Sequence, residues 1–232
     1  AVVDQVGDGA DLQVVLFGEL FQLRATGHGA VVVHDLADHP ARLEAAHARQ
    51  VAGRLGVAGA HQHAAGLRLQ RDPALGGGAL LDVGVYAVSF TSFVLGEPVR
   101  IESMMTPAPT GVDAQAACIL GYDGGELALV STAVTTNTPW EATILGTNGK
   151  IRLHASAWHP TKMTVSITGQ PDDLQEFDAH ETGFYYEVEE VGNCLRAGKL
   201  ESDILPLDES LGIMRTLDRI RAPWGFKYPN EA

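Results

Sequence analysis

Residues 76–86 read Gly76-Gly77-Gly78-Ala79-Leu80-Leu81-Asp82-Val83-Gly84-Val85-Tyr86, a glycine run that leads directly into an apolar segment. This pattern predicts a helix over residues 78–95, because apolar positions recur along one side and Gly96 provides a stop. Asp82 and Tyr86 are four residues apart and therefore share a face of that helix. Unpaired N–H groups at a helix start favour negative charge, which eases the ionisation of a nearby phenol. The stretch thus predicts a site built from a carboxylate, a phenol and a helix terminus.

Three downstream segments accompany this stretch. They are Ile144-Leu145-Gly146-Thr147-Asn148-Gly149-Lys150-Ile151, the run from Tyr186 to Lys199, and Trp224-Gly225-Phe226-Lys227-Tyr228-Pro229. In this order the four segments resemble the signature of the Gfo/Idh/MocA oxidoreductases, and they are most similar to the branch of dimeric dihydrodiol dehydrogenases and D-xylose dehydrogenases. The resemblance covers residues 71–232. It implies the C-terminal domain of such an enzyme, in which helices cover one face of a broad sheet and the other face pairs with a second subunit to form a homodimer.

The resemblance implies a proton-transfer role for Tyr86. When a carbonyl carbon gains hydride from NAD or NADP, its oxygen must gain a proton, so a positioned acid is required. Asp82 would orient a hydroxyl of a sugar or diol substrate, or hold Tyr86. The alternatives are structural: Asp82 as a charge that offsets the helix dipole, and Tyr86 as a half-buried helix aromatic.

Four further residues are assigned by the same resemblance. Gly77 and Gly78 are predicted to bind the cofactor, and His180 and Tyr185 are predicted to line the substrate cleft. Ordinary surface or core positions are the alternative for His180 and Tyr185.

The first 70 residues differ from the remainder in composition. They contain no Ile, Ser, Lys, Asn, Tyr, Trp, Met or Cys, although globular domains use Ser and Lys freely. The resemblance to the family implies an N-terminal Rossmann domain with a G-x-G-x-x-G turn and a Glu-Lys-Pro motif. Neither motif occurs in residues 1–70. We interpret residues 1–70 as an atypical head that is out of frame, disordered, or helical around residues 42–55. Residues 71–232 are then the substrate and dimerisation domain, and the chain is expected to be an inactive fragment.

Charge and composition limit the partners. The chain has 29 acidic and 16 basic residues, for a formal net charge of −13, which argues against nucleic acid or an anionic membrane. No apolar run of transmembrane length and no signal peptide is recognisable. Cys118 and Cys194 lack the spacing of a disulfide framework, so a cytoplasmic protein is expected. A metal site is not expected, because His61 and His63 have no further ligands in register.

Downstream of residue 98 the pattern predicts strands followed by helices, which is an α+β fold with a largely antiparallel sheet. The predicted strands are Val99–Met105, Ala114–Tyr122, Glu126–Thr135, Ala142–Gly146, Lys150–Leu153 and Met163–Thr168. The predicted helices are Phe184–Arg196, with Val188, Val191 and Leu195 on its apolar side, and Asp208–Arg221, with Asp208 as N-cap and Leu211, Met214, Leu217 and Ile220 facing inward. Trp140 and Trp158 are expected to pack the sheet or the dimer face.

Three functions remain open from the sequence. The first is an NAD(P)-dependent dehydrogenase of sugars or diols, present as its C-terminal domain. The second is a non-catalytic sheet module that dimerises without a cofactor. The third is a His-rich, metal-binding head on an inert sheet domain. The sequence identifies neither the sugar nor the choice of NAD over NADP.

Overall fold

The computed structural model describes residues 2–4, 11–16, 19–24, 30–33, 71–136, 138–155, 157–178 and 184–231. Within the head, β1 (Val2–Asp4), β2 (Asp11–Leu16) and β3 (Glu19–Arg24) form a small antiparallel sheet. The helix predicted around residues 42–55 lies outside the described residues, as do His61, His63 and His180. The division of the chain at Arg71 stays a prediction.

An eight-stranded sheet is the centre of the structure, in the order β11-β10-β9-β8-β4-β7-β6-β5. Strand β4 pairs parallel with β7, and the other pairings in this sheet are antiparallel. The prediction of a largely antiparallel sheet is therefore confirmed. The strands are β4 (Ala30–Val33), β5 (Arg100–Pro107), β6 (Asp113–Gly121), β7 (Leu127–Ala133), β8 (Ala142–Gly146), β9 (Gly149–Leu153), β10 (Lys162–Ile167) and β11 (Asp173–Glu176).

Two helices cover one face of this sheet. A π-helical turn, Leu80–Gly84, leads into α1 (Val85–Leu95), and α3 (Leu207–Arg221) packs beside α1 and against β5. Apolar side chains at alternate strand positions meet the helices in one continuous core, as their period of two requires. Its buried members include Leu80, Val88, Leu120, Val130, Ile144, Ile151, Met163, Ile213, Leu217 and Ile220.

Helix α2 (Phe184–Arg196) has the predicted bounds but not the predicted packing. Its apolar side is exposed among the described residues: Val188 has 72% of its surface accessible, and Val191 and Leu195 are similarly open. An amphipathic pattern identifies the apolar side of a helix but not the element that covers it.

The predicted inward face of α3 is half right. Leu217 and Ile220 are buried, whereas Leu211 and Met214 are exposed. Ile213 takes the buried position, so the apolar stripe is rotated from the one predicted. Asp208 is also not the N-cap: that position is Pro206, and Asp208 lies in the first turn.

In the part of the chain that the structure describes, no helix covers the opposite face of the sheet. Its exposed apolar side chains come from neighbouring strands, with Met104 on β5 having 73% of its surface accessible. The others are Ile119 on β6, Leu127 and Leu129 on β7, and Leu145 on β8. The prediction that helices cover one face of the sheet is thus confirmed.

One segment of the described residues, Pro73–Leu95, is long and apolar enough to cross a membrane by length and composition. Core helices of globular proteins pass the same test. Leu80, Val88 and Val94 within it are buried against the sheet, so this segment serves as a core helix in the present fold.

Candidate functional site

The glycine stretch at residues 76–86 begins with a turn, and side chains from other parts of the domain form hydrogen bonds with the backbone of this turn. Three side chains that are distant in sequence bind its backbone. The Asp113 carboxylate accepts the N–H of Leu80 at 2.6 Å, and the Thr132 hydroxyl donates to the carbonyl of Ala79 at 3.0 Å. The Tyr228 hydroxyl donates to the carbonyl of Gly77 at 2.8 Å.

Gly78 makes the hydrogen bond from Leu80 to Asp113 possible. Its φ is +131°, a conformation that side-chain-bearing residues rarely adopt. A Cβ at this position would lie 2.3 Å from Oδ1 of Asp113, so only glycine lets the carboxylate approach the helix start. Burial raises the pKa of Asp113, and the hydrogen bond from Leu80 opposes that rise. Burial also raises the pKa of Tyr228 to about 12, so its hydroxyl stays protonated and keeps donating to Gly77.

Beyond the π turn, Tyr86 enters an aromatic cleft. Its ring stacks on Trp158 with 5.3 Å between centroids, and Trp158 contacts Trp140 at 5.2 Å. All three side chains are about half accessible, at 50%, 47% and 48% for Tyr86, Trp158 and Trp140. Phe90, Thr132 and Ala157 are among the other lining residues. The cleft therefore offers aromatic faces beside an accessible phenol.

The cleft wall is held in a strained backbone conformation. Trp140 has φ +55°, the left-handed region that bulky residues avoid. Its carbonyl accepts the N–H of Ala157 at 2.7 Å, which ties the loop of Trp140 to the loop of Trp158. The adjacent Glu141 forms a bidentate ion pair with Arg152 of β9, with distances of 2.7 to 3.0 Å. Both tryptophans therefore line the cleft of Tyr86 together with residues of the sheet, and the expectation that they pack the sheet or the dimer face stays a prediction.

The other predicted site residues are more scattered. Asp82 is exposed in the π turn, one helical turn before Tyr86. Tyr185 lies on the exposed first turn of α2, where it meets Tyr186 edge to face at 5.6 Å. Tyr185 is not among the residues that line the cleft, although Tyr186 lies 6.1 Å from the ring of His159, next to Trp158. The roles of Asp82, Tyr86, His180 and Tyr185 stay predictions.

The Asp113 carboxylate occupies the place at the helix start where a phosphate of a dinucleotide would bind. It accepts the N–H of Leu80, the kind of group that a phosphate would bind, and Gly77 and Gly78 beside it are buried. A carboxylate at this place repels a phosphate rather than attracting it. This helix start by itself therefore does not fit the pyrophosphate of NAD(P). The assignment of Gly77 and Gly78 to the cofactor stays a prediction that no contact in the described residues supports.

Sequence reasoning missed the residues that hold the site. Asp113 begins β6 after Gly111 and Val112, and a polar residue at a strand start normally faces water, so nothing in the pattern marks its burial. Thr132 follows the period-two alternation of β7, which indicates an inward side chain but not its partner. Tyr228 was visible only as part of the tail segment.

The fold and the hydrogen-bonded glycine turn before the helix of Tyr86 point to the class of the protein. Residues 44–152 match the family model described as the GFO/IDH/MocA C-terminal domain. The chain belongs to the Gfo/Idh/MocA oxidoreductase family. The family resemblance found in the sequence is thereby confirmed.

Curated relatives agree with this assignment. The trans-1,2-dihydrobenzene-1,2-diol dehydrogenase of Homo sapiens is 34% identical over 169 residues, which is 69% of this chain and 50% of the relative. The enzyme of the same name from Xenopus tropicalis is 35% identical over 164 residues, or 67% of this chain and 49% of the relative. The chain thus spans about half the length of the curated relatives that it matches.

Solved structures share the fold at low sequence identity. A 3-ketoreductase from Actinomadura kijaniata, in complex with NADP and TDP-benzene, superposes with a TM-score of 0.61 at 14% identity. The match covers 86% of this chain and 54% of the reductase. The aldose-aldose oxidoreductase of Caulobacter crescentus, complexed with glycerol, gives a TM-score of 0.58 at 19% identity, over 84% of this chain and 52% of the other.

Proposed function

We propose that this chain supplies the substrate-binding half of an NAD(P)-dependent dehydrogenase that oxidises cyclic dihydrodiols or sugars. The observation that carries the proposal is the cleft in which the half-accessible Tyr86 stacks on Trp158 beside Trp140. The names of the curated relatives support a dihydrodiol as the substrate.

Tyr86 is the proposed proton-transfer residue. A nicotinamide, when bound, supplies the hydride chemistry, and the chain contributes the group that takes or returns the hydroxyl proton. A positive charge close to a phenol favours its ionised form, which is the form that can take up a proton. Among the described residues that line the cleft of Tyr86 there is no lysine or arginine. We therefore expect the cation to come from the cofactor-binding half, as the Glu-Lys-Pro motif of the family implies.

Asp82 is proposed to accept a hydrogen bond from a substrate hydroxyl group. It precedes Tyr86 by one turn and is exposed, although it does not itself line the cleft. We propose that it meets a hydroxyl group that projects from a ring stacked in the cleft. Planar apolar rings favour aromatic walls, and one or two polar groups then set the orientation. A dihydrodiol combines an apolar ring with two adjacent hydroxyl groups, which fits this division of the cleft.

A homodimer through the open face of the sheet belongs to the proposal. Met104, Ile119 and Leu129 expose apolar surface on three adjacent strands, and a broad apolar patch is a typical interface. A second copy presents the same patch under two-fold symmetry. We also propose a cytoplasmic location, in keeping with the free thiols of Cys118 and Cys194.

Titration with trans-1,2-dihydrobenzene-1,2-diol tests the proposal on the chain itself. Two of the three tryptophans lie in the cleft, so binding should change the tryptophan emission. Trp158→Ala should abolish the change, whereas Trp224→Phe should preserve it, because the indole of Trp224 binds Ser103 away from the cleft. An emission that is unaffected by diol or D-xylose up to millimolar concentrations would refute the proposed substrate class.

The second candidate is a non-catalytic dimerising module. The open sheet face favours it, because this patch needs neither a cofactor nor the cleft. The diol titration separates the two: a module of this kind dimerises but leaves the emission unchanged.

A further inference from the structure

We infer that Asp113 is a positioning residue for Tyr86: its carboxylate joins the start of the Tyr86 helix to the sheet and thereby fixes the phenol against Trp158. The inference rests on the proposed function, in which Tyr86 transfers the proton. Asp113 touches neither the cleft nor Tyr86 in the contacts described above, so it would act only through the helix.

The contact reaches across the fold. Asp113 is the first residue of β6 and has only 2% of its surface accessible. Its bond to the N–H of Leu80 spans 33 residues of sequence. A Ser, Thr or Asn two or three residues before Leu80 could satisfy the same N–H without such a link. These positions are Gly78 and Gly77, which have no side chain.

A buried carboxylate is an expensive way to satisfy backbone N–H groups at a helix start. Desolvation penalises the charged form, and no lysine or arginine of the described residues pairs with Asp113. The chain also fixes a glycine at position 78 so that the carboxylate fits. Unlike a local cap, the buried Asp113 carboxylate connects the helix rigidly to the sheet.

A neighbouring strand reinforces the connection. Thr132 of β7 binds the carbonyl of Ala79, so adjacent strands hold adjacent residues at the helix start. Thr132 also lines the cleft, which means that the sheet position holding the helix is the position that forms the wall facing Tyr86. The π turn then carries the constraint from Leu80 to Tyr86 through its backbone hydrogen bonds.

Small rotations matter at this distance. Side-chain tips lie ~6 Å from a helix axis, so a turn of ~10° moves the phenol oxygen by ~1 Å. A misplacement of ~1 Å can lower the rate of a positioned reaction by ~10²-fold. Loss of the Asp113 contact therefore bears on Tyr86 even while the fold persists.

Fluorine NMR of the full chain labelled with 3-fluorotyrosine tests the inference. The chain has five tyrosines, and Tyr86→Phe assigns the Tyr86 line. Asp113→Ala, which removes the acceptor of the Leu80 N–H, should shift the lines of Tyr86 and Tyr228 and leave that of Tyr185 in place. Asp123→Ala, in the exposed turn between β6 and β7, is the matched control and should shift neither.

Each outcome bears on the inference. A folded Asp113→Ala protein with an unchanged Tyr86 line overturns it. Should Asp113→Ala not fold, Asp113→Glu, which keeps the charge but moves the carboxylate by one methylene, is measured in the same way. If neither variant folds, Asp113 serves the fold at large and the inference fails. The readout needs no substrate, so a negative diol titration combined with a shifted Tyr86 line refutes the proposed function and leaves the connection intact.

Discussion

Replacing Tyr228 by Phe removes one oxygen atom from the group of side chains that hold the glycine turn. The phenyl ring stays, so its edge-to-face contact with Phe226 at 4.9 Å and its place under Arg221 at 5.4 Å should persist. The carbonyl of Gly77 loses its 2.8 Å hydrogen bond and lies in a buried residue. Leaving such an acceptor without a partner costs about 1–3 kcal/mol of unfolding free energy. For a chain of this size the melting temperature should therefore fall by roughly 2–12 °C.

Urea unfolding followed by circular dichroism measures this cost. Tyr185→Phe is the matched control, because the Tyr185 hydroxyl is on an exposed helix and meets Glu189 only at 3.4 Å. The control should lie within about 0.5 kcal/mol of the wild type. Tyr228 and Asp113 bind residues of the same turn. The change in unfolding free energy of the double variant Tyr228→Phe, Asp113→Asn should therefore differ from the sum of the two single changes by about 0.5 kcal/mol or more. A Tyr228→Phe protein as stable as the control would refute the view that these side chains hold the turn.

Two further predictions concern acidity and association. Because burial raises the pKa of Asp113 above 3.8, the folded state binds that proton more tightly than the unfolded state. The contribution of Asp113 to stability therefore falls as pH rises from about 3.8 through its folded pKa. Urea titrations at several pH values should show this fall in the difference in unfolding free energy between wild type and Asp113→Asn. The difference between wild type and Asp123→Asn should not show it. On the open face, Ile119→Glu should convert the proposed dimer into a monomer in light scattering, while Val188→Glu on α2 should not; a dimer that survives Ile119→Glu would place the interface elsewhere.

The sheet domain was readable from the sequence because local signals agree there. Strands β5 to β10 follow period-two patterns between clear turns, and their predicted ends differ from the observed ones by at most two residues. Strand β4 was missed because it lies in the head that composition set apart, and its partners are remote in sequence. Strand β11, Asp173–Glu176, is mostly polar and carries no apolar alternation.

The candidate site was only partly readable. Asp82 and Tyr86 are marked by helical spacing and a glycine run, which are local features. The aromatic cleft joins Tyr86 to Trp140 and Trp158, which follow much later in the chain, so only the folded sheet brings them together. Asp113 escaped notice for the same reason. A hydrogen bond across 33 residues leaves no periodic trace.

The exposed stripe of α3 has a similar cause. Leu211 and Met214 are apolar and helically spaced, yet Ile213 and Leu217 are the residues that meet the sheet. Both stripes are possible from the sequence, and contacts with α1 and β5 decide between them.

The most direct test of the central claim joins this domain to a cofactor-binding half. An N-terminal half that carries the Glu-Lys-Pro motif expected of the family is joined to the N-terminus of the whole chain, so that β4 stays between β7 and β8. NAD(P)H formation is then followed with trans-1,2-dihydrobenzene-1,2-diol. The chain by itself should form no NAD(P)H, the fusion should form it, and Tyr86→Phe in the fusion should lower kcat by about 10²–10⁴-fold with little change in cofactor binding. A fusion that folds, binds cofactor and keeps full activity as Tyr86→Phe would contradict the account and leave the cleft without a role in catalysis.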